Sequence, residues 1–385
     1  MAGKRIADIE ILRAIAVLGV VFHHAFYNLF PWKTPGIQAF REQFQFWWGV
    51  DLFFAISGFV IARDLLPRLT QATQNGHFWR TAGGFWIRRA GRLLPSAWLW
   101  LALPLLAVVL FNQSGVFGDL RTNLMATAAG LAQVANIRFA DSFMSYEYGV
   151  TFVYWSLSLE EQFYLLLPLT ALLFRRWLPL FLIALVVYQF FTLRTPILMA
   201  FRTDAIALGV LLAIWSHHPS YQRLQPRLLG RHWLLGVALL VTAGGLMAHL
   251  SGASQTLQTY RIGLIALLSA LLVMIASYDR DYLIPQGTLQ RVMLWIGSRS
   301  YAIYLIHIPA FFLTREIWFR LDPASTGSDT TYMPAFAATA LLLILIASEL
   351  NYRFIEMPLR RRGVLLAERI EARSRNNPSN GVTTC

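Results

Sequence analysis

The chain has 385 residues, of which 56% are hydrophobic and only 14% charged, against about 25% charged in a soluble domain. That balance excludes a disordered chain, a fibrous repeat and an ordinary water-soluble enzyme, and marks an integral membrane protein. The net charge of +13 comes from arginines clustered between apolar runs, a topology signal rather than a nucleic-acid footprint, while the lone Cys385 excludes a disulfide framework, a cysteine metal site and prenylation.

Apolar runs suited to crossing the hydrocarbon core, roughly 20 residues each, are predicted near 9–30, 47–67, 93–111, 155–174, 178–194, 203–217, 233–249, 260–277, 298–318 and 334–354. The expected fold is an all-α, polytopic membrane bundle of about ten transmembrane helices. One domain is expected over 1–360, followed by a polar tail over 361–385 whose run from Asn376 to Gly381 suggests disorder. The first span opens like a signal peptide, but no small-residue cleavage site follows and it contains Glu10 and Arg13, so it is expected to be retained.

With the N-terminus inside, the inner side receives Lys4, Arg5, Arg63, Arg68, Arg80, Arg88, Arg89, Arg92, Arg175 and Arg176. It also receives Arg223, Arg227, Arg231, Arg280, Arg291 and the cluster Arg360, Arg361 and Arg362. The outer side receives Lys33, Arg41, Arg121, Arg138, Arg194 and Arg320. The bias is roughly three to one, which predicts that both termini are cytoplasmic.

Ionisable groups inside spans are costly and point to function. The first span carries Glu10, Arg13, His23 and His24. Arg13 and His24, eleven residues apart, return to within about 20° on a helix and separate by about 16 Å along it. Glu10 lies within about 60° of that stripe, and Asp8 points elsewhere. Snorkelling explains Arg13 but leaves His24 without a reason. The second span opens with Asp51 and holds Ser57 and Gly58 at its middle. A helix cap for Asp51 and helix packing for Ser57 and Gly58 are the alternative readings.

Arg89 and Arg92, with Arg88 beside them, form a cluster before the third span. It suits either lipid headgroups or a phosphate clamp, since guanidinium forks match phosphate oxygens. Ser156, Glu160 and Tyr164 share one face of the fourth span, as do Ser300, Tyr304 and His307 in a later one. Glu161 suits a helix N-terminus. Glu349, Arg353 and Glu356 share a face of the last span, where a salt-bridge ladder is the alternative to a functional role.

Taken together these motifs resemble the acyltransferase 3 family of bacterial membrane acyltransferases, from about Ile6 to Arg362. The Arg-x10-His motif falls on Arg13 and His24, and Gly-Val-Asp-x-Phe-Phe-x-x-Ser-Gly-Phe on Gly49 to Phe59. Arg-x-x-Arg falls on Arg89 and Arg92, and Trp-Ser-Leu-x-x-Glu-x-Gln-Phe-Tyr on Trp155 to Tyr164. Arg-x-Asp-x-x-x-x-Gly matches Arg202, Asp204 and Gly209. The Ser-Tyr-x-x-Tyr-x-x-His-x-Pro run matches Ser300 to Pro309, and Glu-x-Pro matches Glu356 and Pro358. The family's common Asp-Gly-Leu-Arg-Gly opening is here Glu10-Ile11-Leu12-Arg13-Ala14, which puts close backbone approach at that point in question. The hydrolase-like extracytoplasmic domain of some members is not expected after so short a tail, so the membrane domain or a partner must complete the chemistry.

The resemblance implies transfer of an acyl group, usually acetyl, from cytoplasmic acyl-coenzyme A to a carbohydrate hydroxyl. It implies a multi-pass protein of the bacterial inner membrane, working for cell-envelope or secreted polysaccharide alongside assembly partners. Acetyl-coenzyme A enters as co-substrate, with no permanently bound cofactor and no metal. Arg88, Arg89 and Arg92 are the expected holders of its phosphates. His24 is the expected general base or transient acyl acceptor, which requires a neutral imidazole. Glu160 orients it or relays a proton, and Arg13, paired with Glu10, stabilises thioester charge. Asp51, Ser57, Ser156, Tyr164, Arg202, Asp204, Ser300, Tyr304, His307 and Glu356 are expected around the cavity. No Gly-x-Ser-x-Gly elbow and no His-x4-Asp pair is present, which excludes other acyl-transfer chemistries. The rival is a transporter or flippase of a glycan or lipid-linked sugar, which uses buried Arg, Glu and His equally well. It lacks support from paired, glycine-broken helices.

Overall fold

The computed structural model describes residues 6–372 apart from 31, 33, 144, 253–258 and 327–329, and among them it is helical with no strand. Lys4, Arg5, Lys33, Cys385 and the disorder expected from Asn376 to Gly381 lie outside the described residues.

Each predicted apolar run falls on a helix. We number these α1 (Ala7–His24), α2 (Gly49–Gln74), α3 (Phe78–Leu110), α4 (Tyr154–Phe174) and α5 (Leu178–Phe191). They continue as α6 (Asp204–Trp215), α7 (Trp233–Leu250), α8 (Arg261–Ala276), α9 (Ser300–Leu321) and α10 (Met333–Asn351). Among the described residues, seven helical stretches are long and apolar enough to cross a membrane. That is fewer than the expected ten for three reasons. α4 and α5 run together as one 38-residue stretch, α8 has only 16 residues, and α2 carries Asp51, Arg63 and Asp64 in its body. The outward faces are apolar, as with Leu106 and Val109 of α3, Leu173 of α4, Val241 of α7 and Leu341 of α10. Such continuous apolar surface needs lipid as its solvent. The protein is a multi-pass integral membrane protein.

Small residues set the closest helix contacts. A β-carbon on Gly58 of α2 would sit 2.2 Å from the Ile206 carbonyl oxygen, and one on Gly209 of α6 would sit 2.2 Å from that of Ala55. α2 and α6 therefore meet backbone to backbone, as small residues permit in membranes. Gly49 makes the same approach to Ala16 of α1. Although glycines are missing around Arg13, close approach there is supplied from the other side. Gly297, on the short helix Thr288–Ser298, would place a β-carbon 2.0 Å from the Glu10 carbonyl oxygen.

Beyond α10 the chain makes a π-helical turn, Tyr352–Glu356, and continues as a helix, Met357–Ala372, that packs along the start of α3. Gly91 and Gly363 face each other there, and the space at Gly84 is filled by the carboxylate of Glu371. Glu371 accepts from Arg88 at 2.8 Å and from Arg68 of α2 at 3.2 Å. Gly91→Leu is expected to lift the last helix off α3, because no larger side chain fits between the two backbones. The check is limited proteolysis in detergent, with faster cleavage around residue 363 than in the parent protein.

Candidate active site

A cleft with an empty volume of about 530 Å³ opens among α1, α2, α3, α4 and α9. One end is cationic, lined by Arg13 of α1 and by Arg89 and Arg92 of α3. The spacing of Arg89 and Arg92 places both on one helix face, whereas Arg88 is turned about 100° away. It is Arg88 that pairs with Glu371, so it takes no part in the cleft. Arg13 lies 3.6 Å from Glu10, Arg89 stacks 4.8 Å over the Tyr164 ring, and Arg92 feels the charges of Arg13, Arg89, Arg360 and Glu356. The buried Nε atoms of Arg13 and Arg92 have no hydrogen-bond partner in the protein. Donors left unsatisfied in a buried site fit an anionic ligand such as a phosphate group.

Halfway along lies Glu160 of α4. Its two carboxylate oxygens accept from Ser57 at 3.0 Å and from Tyr164 at 2.9 Å. The i, i+4, i+8 stripe thus faces the cleft, with Ser156 bonded to Tyr304 at 2.7 Å. Ser300 and Tyr301 line the wall from α9, and Tyr301 is tethered through its hydroxyl to the Leu93 carbonyl at 2.8 Å.

His24 and His307 do not line the cleft; they stand just beyond Tyr304, one helical turn further along α9. The two rings are stacked with centroids 5.1 Å apart, and His24 Nδ1 lies 2.8 Å from His307 Nε2. His307 Nδ1 lies 2.8 Å from the Tyr304 carbonyl oxygen. A carbonyl can only accept, so His307 Nδ1 carries its proton and its Nε2 is an acceptor when the ring is neutral. His24 Nδ1 must then be the donor, which leaves the lone pair on His24 Nε2 free. The chain of two bonds selects the tautomer that a base or nucleophile needs. Phe152 packs edge-on against His24 at 5.2 Å, and α1 passes into a π-helical turn, Ala25–Leu29, at this point, a feature common at functional sites.

The remaining motif residues form supporting ion pairs. Arg202, 3% exposed, lies 3.2 Å from Asp51, which is fully buried. The guanidinium sits between the rings of Trp47 and Trp155, 5.0 and 4.9 Å from their centroids. Asp204 pairs with Arg194 at 2.6 Å, and Gln189 joins Arg194 to the backbone at Thr203 and Asp204. Glu349 holds Arg299 at 2.8 Å and also Arg353, the ladder reading, whereas Glu356 faces the Arg92 side. Asp8 points away from the stripe and accepts from the backbone of Tyr282 at 2.9 Å. Phe53 and Tyr301 stood inside named motifs without an assigned role, whereas Phe152 and Gly297 were missed, since apolar and small residues carry no local signal of what they pack against. Among the described residues no three His, Cys, Asp or Glu side chains are grouped to hold a metal ion.

Comparison with known proteins places this arrangement in context. An acyltransferase domain family matches residues 6–349. The peptidoglycan O-acetyltransferase OatA of Listeria monocytogenes is 28% identical over 94% of this chain and 57% of its own length. The putative peptidoglycan O-acetyltransferase YrhL of Bacillus subtilis is 28% identical over 94% of this chain and 56% of its own. The O-acetyltransferase OatA of Staphylococcus aureus is 26% identical over 91% of this chain and 57% of its own. The chain therefore spans little more than half the length of these relatives. No solved structure matches.

Proposed function

The chain belongs to this acyltransferase family, and from that premise we propose that it is a membrane O-acetyltransferase moving an acetyl group from acyl-coenzyme A to a carbohydrate hydroxyl of the peptidoglycan type. The observation that carries the proposal is the cleft itself. It joins three arginines, of which Arg13 and Arg92 keep unsatisfied donors, at one end, to a histidine with a free lone pair beyond the other. In this reading all ten helices cross the bacterial inner membrane, both termini are cytoplasmic, and the arginine end faces the cytoplasm where acyl-coenzyme A is found. Envelope-assembly partners deliver the acceptor on the other side.

The steps follow from the geometry. Arg89 and Arg92 hold phosphate oxygens of the donor, and the pantetheine arm extends past Ser57 and Glu160 toward His24, about 16 Å along α1 from Arg13. His24 Nε2 takes the proton of the acceptor hydroxyl as its oxygen attacks the thioester carbonyl. The developing imidazolium is held through His307, the C–S bond breaks, and the thiolate leaves with that proton. Where His24 first accepts the acyl group itself, the same lone pair forms the N–C bond and the acceptor oxygen attacks in a second step. Arg13, which lines the cleft beside Arg89 and Arg92, lies about 16 Å from His24 and so adds a third guanidinium for the donor's phosphates rather than a charge for the oxyanion.

The test is acetyl transfer by the purified protein in nanodiscs, with labelled acetyl-coenzyme A and soluble peptidoglycan strands. Removing both guanidiniums in Arg89→Ala/Arg92→Ala is expected to raise KM for acetyl-coenzyme A by roughly 10- to 100-fold, the worth of charge-assisted hydrogen bonds. An unchanged KM rejects the donor site. Glycan movement across the bilayer that needs no acetyl-coenzyme A favours a transporter instead.

A further inference from the structure

Beyond His24 the structure carries a second cationic feature that the reaction scheme leaves unused. The stripe His23, His24, Tyr27 and Asn28 is flanked by two guanidiniums from different elements. On one side Arg41, from the helix Pro35–Gln43, lies 3.7 Å over the Tyr27 ring. Tyr27 in turn packs 4.9 Å from His23 and is 46% exposed. On the other side Arg315 of α9, two turns beyond His307, donates to the Asn28 carbonyl at 3.3 Å, and Asn28 bonds the His24 carbonyl at 3.0 Å. Neither arginine forms an ion pair with a carboxylate among the described residues, and the buried Nε of Arg41 has no hydrogen-bond partner. This contrasts with the neighbouring Arg320, which is neutralised by Glu316 at 2.7 Å.

We propose that Arg41 and Arg315, with Tyr27, form the acceptor subsite, and that the acceptor is an acidic carbohydrate whose carboxylate they receive. The inference rests on the acetyl-transfer reading and adds to it the charge class of the acceptor. An orphaned guanidinium in a half-buried place costs desolvation with nothing to offset it, and a carboxylate in the substrate supplies the missing partner in a bidentate geometry. The tyrosine offers an apolar ring and a hydroxyl, the combination that meets a sugar face. Anchoring the acid on either flank of the stripe brings a nearby sugar hydroxyl to His24 Nε2.

The experiment compares soluble peptidoglycan strands with the same strands after conversion of their carboxylates to amides. Binding is read by thermophoresis and transfer by labelled acetyl-coenzyme A. In the parent protein the amidated strands are expected to bind about tenfold more weakly, the scale of one charged hydrogen-bonded contact. Arg41→Gln and Arg315→Gln each raise the acidic strands' KM about tenfold, leave KM for acetyl-coenzyme A as it was, and do not alter the weak binding of amidated strands. Unchanged KM for acetyl-coenzyme A also shows that the variants are folded. Equal binding of both strand types, or loss of both in the variants, overturns the subsite. Charge-dependent binding without acetyl transfer overturns the transfer reading and leaves the subsite standing.

Discussion

His24→Ala is expected to lower acetyl transfer by about 10³- to 10⁴-fold, the range of a lost general base or of a base held in the wrong tautomer, with acetyl-coenzyme A binding intact. On the proposed reading the donor's phosphates sit at Arg89 and Arg92, which line the cleft whereas His24 does not, so the loss falls on kcat and spares KM. His307 acts through His24 as a positioning residue, and its substitutions separate that role from mere packing. His307→Phe removes the acceptor for His24 Nδ1–H and frees the ring to take either tautomer, with a loss of about 10²-fold expected. His307→Gln restores an acceptor oxygen and recovers part of it. A packing role predicts the reverse order, since phenylalanine fills the stack better than glutamine does. Steady-state kinetics of the three variants in nanodiscs decide the matter; full activity in His24→Ala rejects the assignment.

The second large effect concerns stability. Arg202→Leu is expected to cost roughly 3–5 kcal/mol, because it leaves the carboxylate of Asp51 charged, fully buried and without its counter-ion. Asp51→Leu leaves the guanidinium between Trp47 and Trp155 in the same position. The double substitution Asp51→Leu/Arg202→Leu removes both charges together and is expected to be milder than either single change, since no uncompensated charge remains. It does not return fully to the parent value, as leucine cannot stack between two indoles. Thermal unfolding of the four proteins in one detergent measures the cycle. Additive single effects would show that the pair is not coupled.

How much of this was readable in the sequence depends on whether the signal was local. The helices were legible because lipid forces apolar runs of a set length, and the Arg13–His24 stripe because eleven residues make three turns. Arg88 was grouped with Arg89 and Arg92 as a phosphate holder, and only the docked C-terminal helix, where Glu371 takes Arg88 at 2.8 Å, sets it apart. Partnerships between distant elements were not legible. His24 and His307 were both singled out, yet nothing in either motif says that Nδ1 of one meets Nε2 of the other across 283 positions. Asp51 and Arg202 were likewise read as cavity residues and stand 3.2 Å apart as a buried ion pair. The crossing count was blurred where charges interrupt α2 and where α4 and α5 join across Arg175, whose φ of +46° turns the chain without a glycine to announce it.

The lengths of α5, α6 and α8 have a mechanical consequence for the bilayer. They contain 14, 12 and 16 residues and pack against one another, which makes them about 21, 18 and 24 Å long. The hydrocarbon of a typical membrane is about 30 Å thick. On the proposed crossings α5 and α8 fall short, and α6 reaches 20 residues only with the turn that begins at Pro196, so lipid along that flank thins to meet them. A thinned flank shortens the insulating layer beside α2, where α6 touches it at Gly58. On the proposed reaction, the distance an acyl group travels between two aqueous phases is then set partly by how far the protein draws the two leaflets together.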